Sequence, residues 1–131
     1  MKTSQNPQKY LSELHKEHGE FRSILNFSKD ELMTFNHRLE EIAKANTIQD
    51  VLMQVEKFQN HFIRQREVID ELLHEIGECE RHIAQIAEEN NVATDHRKAD
   101  DHVELREKVE IFQKLYGELK NEYMSFLSKS F

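Results

Sequence analysis

The chain has 131 residues, of which 33% are charged, with 25 acids against 18 bases, one Pro, three Gly, one Cys and no Trp. Its formal net charge is −7 and its mean hydropathy −0.79. This size suits one domain over 1–131, the lack of turn residues excludes sandwiches and barrels, and no apolar run approaches the ~18–20 residues of a membrane span.

Residues 1–6 lack an apolar signal region and are expected to be a short disordered N-terminus. A first helix is predicted over 7–45, because Asn6 before Pro7 combines a capping residue with Pro at the first helical position. Its apolar positions alternate by three and four: Leu11, Leu14, His18, Phe21, Leu25, Ser28, Leu32, Phe35, Leu39, Ile42. That alternation is the a/d seam of a heptad. Ser28-Lys29-Asp30-Glu31 resembles a capping box, and a break there would give a four-helix bundle. The heptad phase passes Ser28 without a slip, however, so one continuous helix is expected.

Asn46 is a stop signal, and Thr47 with Asp50 opens a second helix over 48–89. Its seam runs Ile48, Val51, Val55, Phe58, Phe62, Gln65, Ile69, Leu72, Ile76, Cys79, Ile83, Ile86. After the polar break Glu88-Glu89-Asn90-Asn91, Thr94-Asp95 opens a third helix over 95–129. Here the seam is His102, Leu105, Val109, Phe112, Tyr116, Leu119, Tyr123, Phe126.

Three helices of similar length with short links fold up-down-up into an all-α, elongated, antiparallel three-helix bundle. Tyr10, Ile24, Leu52, Val68, Leu73, Leu115 and Leu127 widen the seams, as burial against two neighbours requires. The heptads and hairpins are similar to those of spectrin-type three-helix coiled coils. That is an analogy of architecture which carries no functional residue across, and the Trp typical of those repeats is missing. Tight hairpins set Ser28 level with Gln65 and near Leu119 and Tyr116, a buried polar layer of Ser28, Gln65 and Tyr116. They set His18 level with Ile76 and Val109, and His102 level with Ile83 and Leu11.

The charge is uneven. Residues 46–93 hold ten acids and four bases, which is −6 of the total. Within them Glu67, Asp70, Glu71, Glu75, Glu78, Glu80, Glu88 and Glu89 face only Arg81. Such a face repels nucleic acid, and no basic stripe exists elsewhere, so no nucleic-acid partner is expected. The lone Cys79 on an apolar seam fits a reducing compartment, and a cytoplasmic protein without membrane contact is expected.

The eight histidines raise two possible chemistries. Glu71-Leu72-Leu73-His74 matches the Glu-x-x-His string of di-iron bundles, but Leu72 is the core residue, so Glu71 and His74 face solvent. His15, His18, His82 and His102 gather toward one end of the bundle, with Asp101 and Glu78 as nearby acids, and are weak candidates for Zn or Fe. No metal is favoured. No phosphate loop, nucleophile elbow or paired-carboxylate motif is present, so no catalytic residue, no bound cofactor and no enzyme activity are expected.

The expected function is therefore a small non-catalytic interaction module, an adaptor or a self-associating structural protein. Its partner would be another protein or a second copy of itself. Candidate contacts are the acids Glu67, Asp70, Glu71, Glu75 and Glu78 with the outward apolar Phe27, Ile63 and Ile111. The alternative is a metal-binding bundle built on the end around His18 and His102. Gly19, Gly77 and Gly117 fall inside predicted helices without serving a turn, either as tolerated exposed positions or as close contacts with another chain.

Overall fold

Helices α1 (Pro7–Ala45), α2 (Gln49–Glu89) and α3 (Val92–Ser130) follow one another, with no strand among the described residues. The computed structural model describes the backbone of residues 7–89 and 92–130 and the side chains of 10–86, 88 and 102–130. The helices hold 39, 41 and 39 residues, so at 1.5 Å per residue each is about 60 Å long. The cap expected at Asn6, segment 1–6 and the break at 90–91 lie outside the described residues.

Continuity through Ser28 has a physical cause. The residues of the apparent capping box are engaged across helices instead of locally. Lys29 Nζ donates to Asp70 at 2.7 Å, and the Glu31 carboxylate accepts from Tyr116 Oη at 2.8 Å and Lys120 Nζ at 2.7 Å. Glu31 therefore does not turn back to cap Ser28, which sits 5% exposed in the seam. The four-helix alternative falls with it.

The helix ends differ slightly from expectation. Asn46 Nδ2 donates to the Ile42 carbonyl at 2.9 Å, closing the last turn of α1. The Leu52 N–H donates to the Ile48 carbonyl at 3.1 Å, which puts Ile48 in the capping position that Thr47 was expected to fill. Ile48 is then 60% exposed and does not head the seam. Thr94 and Asp95 fall inside the first turn of α3, since the helix starts at Val92.

The 3-4 seams form the core. Leu25, Leu39, Ile69, Ile76 and Val109 are fully buried, each contributing about 1.5–3 kcal/mol of apolar transfer. Among the flanking residues Leu115 departs from expectation. It is 48% exposed, at the rim of a groove floored by Val68, Leu72 and Phe112. Aromatic rings fill the half of the bundle nearer the α1–α2 link. Tyr123 packs at 4.6 Å from Phe35, 5.3 Å from Phe62 and 5.8 Å from Phe58, and its hydroxyl donates to the Phe35 carbonyl at 3.3 Å.

Cross-helix pairs fix the register, which between α1 and α2 lies one turn away from tight hairpin closure. Lys29 meets Asp70 at 2.7 Å, Lys108 meets Glu75 at 3.0 Å, and Arg106 meets Glu17 at 2.6 Å. Sliding α2 by one turn would bring Arg66 to Lys29 in place of Asp70, a like-charge contact. Ser28 consequently lies at the level of Ile69, with its carbonyl 3.5 Å from Tyr116 Oη. Gln65 is only half-buried and lines the α2/α3 groove, so Ser28 and Tyr116 are buried without it.

Candidate functional site

Polar groups are rare in this core, and two of the three buried polar residues among the described residues are histidines that touch. His18, on the α1 seam, is fully buried, and His102, on the α3 seam, is 3% exposed. Both stand at apolar heptad positions, so the folding that buries the seam buries the rings. Their centroids are 4.9 Å apart, and Phe21 stacks over His102 at 6.2 Å.

With both rings neutral, the hydrogen bonds allow one assignment of tautomers. Arg106 grips both Glu17 oxygens at 2.6 and 3.1 Å and holds its carboxyl below the usual carboxylate range, against the opposing effect of burial. As an ionised acceptor, Glu17 takes a proton donated by His102 Nε2 at 3.0 Å. His102 Nδ1 is then the acceptor, and His18 Nε2 donates to it at 3.0 Å. His18 Nδ1 is left with a lone pair 3.3 Å from Glu80 Oε1. It is the one buried side-chain nitrogen or oxygen without a hydrogen-bond partner among the described residues. Burial pushes His18 below the ordinary histidine range, while Glu80 pulls the other way.

Glu80 has further neighbours on the surface side, with His15 Nδ1 at 3.0 Å and Arg22 at 3.6 Å. The line therefore runs Glu80, His18, His102, Glu17, Arg106 across all three helices. His82 does not join it, because it opens onto the α2/α3 surface beside Cys79, Glu104 and Lys108. No group of three or more His, Cys, Asp or Glu side chains is placed to hold a metal ion among the described residues. The side chain of Asp101 lies outside them. Glu17 and Glu80 were not foreseen as members. Their positions, Glu17 at g beside His18 and Glu80 at e beside Cys79, were the available signal, but charges at such positions usually mark ordinary interhelical pairs.

The acids of α2 are threaded by cations, Lys29 of α1 and Lys108 of α3 among them. Asp70 meets Lys29, Glu75 meets Lys108, and Glu67 and Glu71 meet Arg64 at 3.3 and 3.7 Å. Glu78 meets Arg81, with His74 at 3.4 Å. Phe27, Ile63 and Ile111 are 64%, 58% and 58% exposed, but they do not form one patch. Ile63 borders a groove between α1 and α2 with Met33, whereas Ile111 borders the α2/α3 groove with Leu115. That second groove measures about 290 Å³.

No helix among the described residues is long and apolar enough to cross a membrane. No family model, curated protein or solved structure matches the chain.

Proposed function

We propose that the chain is a non-catalytic helical interaction module whose partner is a second copy, docked through the α2/α3 face. The observation that carries this is a sign reversal along the outer row of α2. Lys57, Arg64, Glu71 and Glu78 follow at seven-residue intervals, two bases and then two acids, so they share one stripe of the helix. A two-fold axis across α2 between Glu67 and Val68 sets Arg64 of each copy against Glu71 of the other. The same axis sets Lys57 against Glu78. Both pairs are satisfied by one operator, which is what an isologous interface requires.

Apolar surface lies beside that axis. Val68, Leu72 and Phe112 floor the groove, and Ile111 and Leu115 stand exposed at its rim. Within one chain the Arg64–Glu71 contact has 60% and 63% exposed side chains and contributes under about 1 kcal/mol. Exchanging it for an intermolecular pair costs little, so burial of the rim decides the balance and the charges decide the orientation.

Sedimentation velocity tests this on the whole chain. The expected result is a dimer that Leu115→Lys converts to monomer. K57E/R64E and E71K/E78K should each be monomeric alone, since each carries one sign along the row. Mixed, they should form a one-to-one heterodimer, because every facing pair is then opposite in charge. A folded wild-type chain that stays monomeric at millimolar concentration, or two charge variants that fail to combine, would overturn the assignment.

A further inference from the structure

The His18–His102 pair has a proton capacity that depends on whether the bundle is closed. Two fully protonated imidazoles hold four ring protons. In the closed pair His18 Nε2 and His102 Nδ1 face one another at 3.0 Å, and that contact holds one proton. Two would set N–H against N–H and place two cations side by side in the core. Closed, the pair therefore holds three ring protons at most and one positive charge at most. Separated and wetted, each ring has both nitrogens open to water and can hold two protons.

We propose that this pair is an acid-operated latch: the His18–His102 contact holds the N-terminal halves of α1 and α3 together near neutral pH and releases them as acid enters, uncovering the seam around Leu14, Phe21 and Leu105. The device needs no particular partner and stands apart from the dimer proposed above.

The groups facing the pair do not relieve the limit. From α1, Glu17 is committed to Arg106 through both oxygens, with Tyr10 and Glu110 acting on that Arg106 from farther out. From α2, Glu80 faces His18 Nδ1 but also holds His15 and Arg22. From α3 comes Arg106, a second cation beside His102. A third ring proton on His18 Nδ1 meets the Glu80 carboxylate, but a fourth has no place. His18 has a folded-state value below its ordinary one, so its contribution is present above about pH 6.5 and is lost as pH falls. Release is confined to this end, because the Phe35, Phe62 and Tyr123 cluster contains no histidine and His37 and His61 are exposed.

Hydrogen exchange on the full chain, read by mass spectrometry at pH 7.5 and 5.5 and corrected for intrinsic rates, tests the latch. Since opening takes up at least one proton, the opening constant of segments 11–25 and 102–109 should rise at least ~10-fold. Segments 55–62 and 119–126 should change less than ~3-fold. The H18L/H102L double variant should lose the difference between the two pH values. His102→Gln, which keeps a donor and an acceptor but cannot titrate, should reduce it if the double variant folds poorly. Equal opening at both pH values overturns the latch. So does protection of these segments at pH 7.5 by zinc chloride and its loss on adding EDTA, which would make the pair a metal site.

Discussion

Gly19, Gly77 and Gly117 break the local rules most openly, since all three lie within helices and none makes a turn. A Cβ added at any of them meets nothing within 4 Å, so no contact inside the chain requires a glycine. Each Gly→Ala change removes backbone freedom from the unfolded chain and should stabilise the fold by about 1 kcal/mol. The triple variant should gain about 2–3 kcal/mol in urea denaturation. A gain below ~1 kcal/mol, or a loss of self-association with the gain, would mean that backbone at these sites approaches another chain. The other irregular residues were only partly legible. His18, Ser28 and His102 stand out in the seams because they interrupt an apolar alternation. Glu17 and Glu80 do not, because a charge beside a seam looks the same whether it meets solvent or the neighbouring helix's histidine. Gln65 misled for a related reason. Its seam position is correct, but which residue it faces depends on a register that spacing within one helix leaves open.

Within α1, two local signals compete at Ser28: a capping motif and an uninterrupted heptad. The heptad prevails because Lys29 and Glu31 have stronger partners on α2 and α3 than on their own turn. A proline at position 29 separates the two outcomes. In a helix starting there, Lys29→Pro occupies the first helical position and is tolerated. In the continuous α1 it removes a backbone hydrogen bond and clashes with the preceding turn, costing ~3 kcal/mol or more. Lys29→Ala serves as the reference, since losing the partly exposed ion pair to Asp70 should cost under about 1 kcal/mol. Chemical denaturation of the two variants reads the difference, and a Pro variant as stable as the Ala variant would mean a break at this point. Helix number, order and span were legible because 3-4 periodicity persists for about seven to ten turns in each helix, far beyond chance. The starts of α2 and α3 were not, since Thr47 and Thr94 offer caps that the backbone leaves unused by one and by more residues respectively.

For the molecule as a whole, the titratable groups buried in the core are sorted by position, histidines toward one end and tyrosines toward the middle and the other end. The consequence is a stability profile limited by different parts of the bundle at each extreme of pH. In acid, Glu17 adds to the histidine effect. Arg106 holds it below 4.5, so its contribution is present above that value and lost as pH falls further. In alkali the sign reverses. Burial raises both Tyr116 and Tyr123 above 10.0, and for Tyr116 the Glu31 carboxylate that accepts its hydroxyl proton raises it further. Both phenols stay neutral in the bundle while those of the unfolded chain ionise. Their contribution is thus complete below pH ~10 and declines as pH rises above it. Thermal unfolding followed by circular dichroism should show a falling midpoint beyond pH 10. Tyr116→Phe should flatten that decline, at the cost of about 1 kcal/mol near neutrality for the lost hydrogen bond. A midpoint constant to pH ~11.5 would mean that the hydroxyls reach water in the native bundle. The place where the chain loosens should follow the same sorting. Acid should loosen the segments around His18 and His102 first, whereas alkali should loosen those around Tyr116 and Tyr123, because each ionisation favours the local opening that hydrates its own group.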